Sequence, residues 1–420
     1  MVQTYFNLDN NYIINHYRFK PIKDGLLLTN DFGSWVYLDK NEFTLLRHGN
    51  LNQNQALLSL LKDKGVILAE NNLDKVINDF RLRSMPLFRG TYHHAVYLNT
   101  DSLKLENIDE NTKKITDFIL QTPSREAIVK FKGNILENFE IVKSFINEFK
   151  ENHNKKIMFE IETDLNNFND DIIEFLINNK FDVWIVLKYM NLSDEVFKFV
   201  KELQRRHRVI FYIDISRKML GEEQKIIDFF VENNLTSFFI RKTKDITKDE
   251  FTAFWKKIID DAYEANKKSG RIAIQELYAS TLLRKITSIN DVFYHELSNL
   301  CTGTIINQLA YNLKGEVYAN EESVGIELFK LGDVNSSYSD IVSSDDSLAL
   351  LGTSLIGDAA LEINAYKPYI SSCPVCNYLE FSNIISHHTS QRTLILIEIL
   401  DYLFEKILFD KEFLKHVLPI

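Results

Sequence analysis

The chain has 420 residues, of which 45% are hydrophobic and 26% charged, with only 14 Gly and 6 Pro. This composition is that of a folded globular protein and excludes a long disordered or collagen-like chain. The 49 Lys and Arg against 59 Asp and Glu give a net charge of −10, which disfavours nucleic acid as a partner. Neither an export signal nor a run of about 18 apolar residues is present, so we expect a cytoplasmic protein without a membrane partner.

The first part of the chain, residues 1–85, alternates short apolar strands with short helices. Residues 16–22, 26–29 and 34–38 are predicted strands, and a polar turn at residues 23–25 joins the first two as a hairpin. Asp39 is a predicted helix cap, and the leucines of residues 57–61 repeat at helical spacing until Lys64 and Gly65 end that helix. Three strands with two or three helices predict a winged-helix module.

The middle of the chain, residues 86–271, contains six apolar runs separated by amphipathic helices. The runs are residues 94–98, 127–131, 157–161, 183–187, 209–213 and 237–240. Their starts lie about 25–33 residues apart, the length of a βαβ unit. Six such units are fewer than the eight of a closed barrel, so the predicted fold class is α/β with an open, partial (β/α)6 barrel.

The last part, residues 272–420, is predicted to be a separate α+β domain. A hairpin-like segment covers residues 307–318, and an amphipathic helix covers residues 394–408.

Several strings in a fixed order resemble one family of enzymes. They are residues 17–19, 28–33, 308–318, 329–334, 365–369 and 400–405. Together they resemble the radical SAM peptide maturases with a SPASM domain, most closely the B-type maturase of the His-Xaa-Ser peptide systems. The resemblance implies a PqqD-like leader-recognition module at residues 1–85, a radical SAM barrel at residues 86–271 and a SPASM-like domain at residues 272–420.

The chain departs from this family where the cofactors would bind. The resemblance implies a [4Fe–4S] cluster on three cysteines after the first barrel strand, but residues 99–106 contain no cysteine. The family's Gly-Gly-Glu after the second strand is also incomplete, because residues 131–136 keep one glycine and no glutamate. We therefore expect neither an iron–sulfur cluster nor S-adenosylmethionine as a cofactor.

The cysteines of the last domain are mostly missing as well. Cys301 and Gly315 fit the family pattern, and Asn320 stands at the next ligand position. With residues 365–369 as the anchor, Cys373 is retained, Cys376 lies outside the register, and other residues occupy the remaining ligand positions, namely Leu361, Asn364, Ile370 and Thr393. Three cysteines do not supply a four-thiolate cluster.

The Cys-x-x-C pair has other interpretations. Cys373 and Cys376 could form half of a zinc site that Cys301, His387 or His388 completes, or a redox dithiol, or they could be vestigial. A single pair of cysteines does not distinguish between these, so zinc stays open as the cofactor of a structural protein.

Charged residues end several barrel strands, where the sites of barrel enzymes lie. They are Glu160, Glu162, Lys188, Asp214, Arg241 and Lys242. This set leaves open an enzyme with cluster-independent chemistry at the barrel mouth. Polar residues that no longer meet a cosubstrate would leave the same pattern.

The winged-helix module is the best-supported binding element. In the family that the chain resembles, a leader peptide adds a strand beside the third strand of this module and packs against its last helix. Trp35, Val36 and Tyr37 would supply the strand, and Leu57 and Leu60 the apolar wall. Alternatively, the leucines only fill the module's own core.

Together these residues predict a radical SAM/SPASM homologue that is catalytically inactive, a pseudoenzyme of ribosomal peptide (RiPP) biosynthesis. Its expected partners are a ribosomal precursor peptide, an active radical SAM maturase, or both.

Overall fold

The structure is a computed structural model. It describes residues 12–88, 90–99, 108–151, 155–163, 168–187, 194–205, 208–287, 307–356, 359–370, 373–385 and 388–418. No helix within these ranges is long and apolar enough to cross a membrane.

The front module contains two small antiparallel sheets and three helices. Its strands are β1 (Ile13–Ile14), β2 (Arg18–Ile22), β3 (Gly25–Thr29), β4 (Trp35–Leu38) and β5 (Ile67–Leu68). Its helices are α1 (Lys40–Arg47), α2 (Gln55–Asp63) and α3 (Leu73–Phe88). One sheet has the order β2-β3-β4, and β1 pairs with β5. The three strands predicted from residues 16–38 are confirmed to within two residues at each end.

The helices of this module begin and end where local chemistry requires. The Asp39 side chain accepts a hydrogen bond from the Glu42 amide at 2.8 Å, and the Glu42 carboxylate accepts one from the Asp39 amide at 3.0 Å, which forms a capping box. After α2, Gly65 adopts a φ of +67°, and a Cβ there would lie 2.7 Å from the Phe32 ring. The predicted cap and the predicted end of the leucine helix are therefore both confirmed.

A ten-stranded sheet forms the centre of the molecule. Six parallel strands follow one another in it: β6 (His93–Tyr97), β7 (Glu126–Lys132), β8 (Lys156–Thr163), β9 (Phe181–Leu187), β10 (Val209–Ile215) and β11 (Ser237–Lys242). The intervening helices are α4 (Ile108–Gln121), α5 (Phe139–Lys150), α6 (Asp170–Asn178), α7 (Asp194–Gln204), α8 (Glu223–Glu232) and α9 (Lys248–Ser269). This confirms an α/β fold with six parallel units.

The sheet continues at both ends with strands from the last third of the chain. Its remaining strands are β12 (Gln275–Glu276), β13 (Gln308–Asn312), β14 (Glu316–Tyr318) and β15 (Lys330–Asp333). β12 pairs with β11, while β13 runs parallel to β6, with Leu309 opposite His94. The predicted hairpin of residues 307–318 thus extends the central sheet, which crosses the predicted domain boundary at residue 272.

Helices of the last third of the chain cover the front sheet and the barrel. They are α10 (Leu277–Thr287), α11 (Tyr338–Val342), α12 (Asp345–Ile356), α13 (Ala359–Glu362), α14 (Pro374–Phe381), α15 (Gln391–Phe409) and α16 (Phe413–Val417). α15 packs against α9, and its Phe404 ring meets the Trp35 ring edge-on at 5.6 Å between centroids. One continuous apolar core therefore links the front sheet to the barrel.

The strings that carry the family resemblance meet at this seam. The Tyr366 hydroxyl donates to Asp401 Oδ1 at 2.6 Å, and Lys20 Nζ lies 2.5 Å from the same carboxylate oxygen. The Tyr369 hydroxyl donates to the Gly33 carbonyl at 2.9 Å. These contacts therefore fix the front module on the last third of the chain.

Candidate functional sites

The inward face of the barrel carries part of the predicted charged set. Arg241 makes a bidentate pair with Asp214, at 2.6 Å from Nε to Oδ1 and 3.0 Å from Nη2 to Oδ2. Its Nη1 donates to Glu162 at 3.1 Å. Lys242 donates to the Thr243 carbonyl and takes no part in these contacts. Lys188 lies outside the described residues.

Three further residues belong to the same network, although the sequence did not single them out. Lys130 Nζ lies 3.0 Å from Glu162 Oε2, and Lys132 Nζ lies 3.4 Å from both Glu162 and Glu321. Lys130 and Lys132 occur in the strand sequence Ala-Ile-Val-Lys-Phe-Lys, where alternate residues face the barrel interior. That alternation is the signal that could have identified both lysines.

Mutual pairing keeps this buried network charged. Burial opposes the charge on Lys130, but the carboxylates of Glu321 and Glu162 raise its pKa well above the usual value. Burial also acts against ionisation of Glu162, yet Lys130, Lys132 and Arg241 together lower its pKa. The same lysines hold the pKa of Glu321 down to about 2 against its burial.

Glu160 differs from its neighbour Glu162 on the same strand face. Its side chain is 2% exposed, and burial raises its pKa to about 7 although Lys130 and Arg208 act in the opposite direction. The network therefore contains one carboxyl group that takes up a proton near neutral pH.

Aromatic rings line the interior below the charges. Trp184, Tyr212 and Phe239 stack on one another with centroids 5.2–5.8 Å apart. The Arg241 guanidinium lies 4.3 Å from the Tyr212 ring centroid, so the ring face adds to the stabilisation of this cation.

A cavity of about 440 Å³ opens beside the network. Its walls include Lys132, Arg241, Glu321, Glu322 and Arg392, together with the Phe239 and Tyr278 rings. The cavity thus joins the barrel interior to the start of α15.

The residues at the barrel mouth do not fit the cluster that the family resemblance implies. Asn99, two residues after the end of β6, accepts a hydrogen bond from the Asn134 backbone amide through its side-chain oxygen at 3.3 Å. A Cβ on Gly133 would lie 2.2 Å from that oxygen, so the loops after β6 and β7 close on each other here. Residues 99–106 contain no cysteine, so this loop supplies no thiolate ligand for a [4Fe–4S] cluster.

The candidate metal ligands are only partly within the described residues, since Cys301 and His387 lie outside them. Cys373 caps α14 and is buried, Cys376 lies one turn later, and His388 contacts the Phe381 ring. In the ranges that the structure describes, no three His, Cys, Asp or Glu side chains converge as a metal site. Zinc binding at Cys373 and Cys376 stays a prediction.

Other residues at the expected cluster-ligand positions have structural roles. Asn320 Oδ1 accepts from the Glu322 amide at 3.1 Å and begins a short 3-10 helix. Leu361 and Ile370 are buried in the main core.

The predicted peptide-binding residues occupy different environments. The Trp35 indole donates to the Ile286 carbonyl at 2.8 Å, and the Tyr37 hydroxyl donates to the Ile22 carbonyl at 2.9 Å. Val36 and Leu57 are 5% and 2% exposed and lie in the module's own core. Leu60, at 40% exposed, presents its side chain to solvent.

The backbone register decides which groups of β4 point away from the sheet. Asn30 N donates to Ser34 O at 3.1 Å, and hydrogen-bonded pairs recur every second residue in an antiparallel ladder. Val36, opposite Leu28, therefore directs its amide toward β3, whereas Trp35 and Tyr37 direct theirs outward. No other strand in the described part of the chain pairs with this outer edge.

Comparison with known proteins gives the fold. No protein-family model and no curated protein sequence matches the chain. The structure of anSMEcpe with bound AdoMet and a peptide superposes with a TM-score of 0.61 at 14% identity, over 76% of this chain and 98% of that one.

A second neighbour extends over more of the chain. Streptococcus suis SuiB bound to its precursor peptide SuiA superposes with a TM-score of 0.54 at 12% identity, over 89% of this chain and 98% of that one. SuiB bound to S-adenosylmethionine gives a TM-score of 0.53 over 90% of this chain. The protein therefore has the fold of the radical SAM peptide maturases.

Proposed function

We propose that the chain binds the leader of a ribosomal precursor peptide along the outer edge of β4, and that it supports modification of that peptide without radical SAM chemistry of its own. The observation that carries this proposal is the outward direction of the Trp35 and Tyr37 backbone groups at an edge without a partner strand in the described residues. An added strand would satisfy those groups by β-augmentation.

The surroundings of β4 fit an added strand. The Trp35 and Tyr37 side chains are fixed on α15, where the Tyr37 ring meets Phe409 edge-on at 5.7 Å. Val36 and Leu38 are anchored in the core on the other face. The strand is thus held rigid from both sides, which lowers the entropic cost of pairing with a peptide.

The fold neighbours support the same function. SuiB has been solved with its precursor peptide and anSMEcpe with a peptide. A chain with this fold and no cysteine at residues 99–106 needs another protein to perform radical chemistry, so an active radical SAM maturase is the proposed second partner.

The test is a titration of the full chain with a library of leader peptides. Tyr37→Pro removes an outward-facing amide donor while leaving the β3 ladder in place, and Tyr37→Ala is its matched control for loss of the side chain. We expect the proline variant to bind about a hundredfold more weakly than the alanine variant, which corresponds to about 2.7 kcal/mol.

Leu60 provides an independent check of the wall beside the strand. Leu60→Asp places a charge on a side chain that is already 40% exposed, so the fold should tolerate it while apolar contact with a peptide is lost. Equal binding by the proline and alanine variants, or no binding of any library peptide by wild type, would overturn the proposal.

A further inference from the structure

Two thiols meet at the beginning of α14. Cys373 is the N-cap residue, and its Sγ accepts a hydrogen bond from the Cys376 amide at 3.3 Å. Pro374 occupies the first turn of the helix. Proline has no backbone N–H, and at this position an N–H would have no acceptor within the helix. The N-terminal end of a helix favours negative charge, so both sulfurs lie where a thiolate is stabilised.

The Cys376 sulfur also has charged neighbours from two other parts of the chain. Its thiol donates to Glu322 Oε2 at 3.4 Å, and Arg392 Nη1 lies 3.2 Å from the same sulfur. Arg392 also donates to Glu322 Oε1 at 3.0 Å. The guanidinium against the sulfur is the group that stabilises a Cys376 thiolate, while the carboxylate accepts the hydrogen bond of the protonated thiol.

The two sulfurs differ in their access to solvent. Cys373 is 6% exposed, whereas Cys376 is only partly buried. Glu322 and Arg392, which contact Cys376, line the cavity of about 440 Å³ beside the barrel. Cys376 is therefore the more accessible of the two sulfurs, and its partners Glu322 and Arg392 connect it to the wall of the cavity.

The same cavity has an unused polar group. Gln308 lines it, is 2% exposed, and has no hydrogen-bond partner for its side-chain amide among the described residues. A buried amide without a hydrogen-bond partner destabilises the fold, so a polar ligand in the cavity that bonds to it would relieve that cost.

We propose that Cys373 and Cys376 form a dithiol–disulfide site that exchanges with low-molecular-mass disulfides, with Cys376 as the attacking thiol and Cys373 as the resolving thiol. The Cys376 thiolate attacks one sulfur of the disulfide, forms a mixed disulfide and releases the other half as a thiolate. The Cys373 thiolate then attacks Cys376 Sγ and releases the second half. The protein dithiol loses two electrons and two protons, and the small disulfide becomes two thiols.

The geometry permits the internal bond. Residues three apart in a helix have Cβ atoms about 5–6 Å apart, and a disulfide needs about 3.5–4.5 Å. Cys373, as the cap, has extended backbone angles of φ −112° and ψ 112°, so its Cβ is not bound to helical spacing. Rotation of the Cys376 side chain toward Cys373 would break its contacts with Glu322 and Arg392.

The experiment uses the full chain with Cys301→Ser, which leaves two thiols of the three in the sequence. Oxidised glutathione is added without oxygen, and alkylation followed by intact mass counts the thiols. We expect both thiols to be lost together, with a decrease in protein mass of two hydrogens and no glutathione adduct. Peptide mapping of wild type locates the bond should Cys301→Ser not fold.

Two single variants assign the roles. Cys373→Ser should trap glutathione on Cys376, and Cys376→Ser should trap little, because Cys373 is buried. Arg392→Gln should slow trapping about tenfold, as expected for a thiolate that has lost its cation. Arg205→Gln is the matched control, since Arg205 pairs with Glu202 at the same 3.2 Å but far along the chain from these thiols.

Retention of both thiols after glutathione treatment, or equal trapping by the two cysteine variants, would overturn the proposal. Tightly bound zinc that protects both thiols would overturn it as well. The peptide titration at β4 does not involve these thiols, so the two proposals fail separately.

Discussion

The barrel interior and the front sheet differ in whether their polar groups are paired within the protein. Inside the barrel, Lys130, Lys132 and Arg241 each lie within 3.4 Å of a carboxylate. At the edge of β4, the outward backbone groups of Trp35 and Tyr37 meet no strand of the described chain. The charges of the barrel are already paired with one another, whereas an unpaired strand edge is a template for another chain.

The difference bears on where function resides in this fold. Ion pairs among the barrel's own residues stabilise the interior only as a set, because a buried charge that loses its partner is costly. The strand edge is rigid without any partner, since both of its faces are packed. We therefore expect mutations in the barrel to change stability, and mutations at the edge to change binding.

The largest expected effect is in the barrel network. Lys130→Met should lower the free energy of unfolding by about 3–5 kcal/mol, because it leaves Glu162 and Glu321 buried with less compensating charge. Urea denaturation of the full chain measures this. Lys156→Met, which removes an exposed pair with Glu126, is the control and should cost less than about 1 kcal/mol. Similar losses in both variants would mean that the network is not a stabilising unit.

The next largest effect is the difference in stability between alanine variants of a buried and an exposed leucine of α2. Leu57→Ala should cost about 2–4 kcal/mol because Leu57 is 2% exposed, while Leu60→Ala should cost about 0.5 kcal/mol or less at 40% exposed. The midpoints of thermal unfolding give the comparison. If Leu57→Ala proved neutral and weakened peptide binding instead, Leu57 would belong to the groove as the sequence first suggested.

Glu160 and Glu162 are expected to make stability depend on pH in opposite directions. Because burial raises the folded-state pKa of Glu160 to about 7, the folded protein holds a proton that the unfolded chain loses near pH 4.5, so stability falls as pH rises between these values. Glu160→Gln should remove that fall and gain about 1–3 kcal/mol relative to wild type above pH 7.

Glu162→Gln is the matched variant two residues away. Burial would raise the pKa of Glu162, but Lys130, Lys132 and Arg241 lower it, so its contribution is present above pH 4.5 and lost as pH falls below that value. This variant should be less stable than wild type at pH 7, with a difference that shrinks in acid. Parallel pH profiles of unfolding for the two variants would contradict the assignment of opposite shifts.

The smallest expected effect is that of S-adenosylmethionine, which is bound in two of the fold neighbours, on the melting temperature of this protein. Protein purified without oxygen should carry no stoichiometric iron or sulfide, and S-adenosylmethionine should leave the melting temperature unchanged. A ligand at a hundred times its dissociation constant would stabilise the fold by about 2.7 kcal/mol, which a melting curve detects readily. Iron at one cluster per chain would show that ligands come from elsewhere.

Local patterns in the sequence predicted the elements well, and contacts between distant segments poorly. The six parallel strands and the Asp39 cap follow from periodicity and capping chemistry, which act within a few residues. The pairing of β13 with β6 joins Leu309 to His94, and no local pattern specifies such a partner. The sequence therefore predicts the hairpin at residues 307–318 but does not predict its place in the central sheet.

The candidate sites were predictable to the same degree. Glu162, Asp214 and Arg241 come together as strand-end charges should, whereas Glu321 reaches the network from the short 3-10 helix that follows Asn320. The burial of Leu57 and the exposure of Leu60 depend on the rotation of α2 over its sheet, and the direction of the Val36 amide depends on strand register. Neither can be read from residue type.

The contact between Trp35 and Phe404 has a consequence for synthesis on the ribosome. The front strands leave the ribosome early, but the α15 surface that covers them is made about 370 residues later, which takes roughly 20–70 s at typical elongation rates. During that interval the face of Trp35 and Tyr37 stays uncovered while Val36 and Leu38 already have their core. A chaperone that holds emerging apolar surface would therefore act on this sheet first, and an arrest of translation before α15 would leave the front module half-folded.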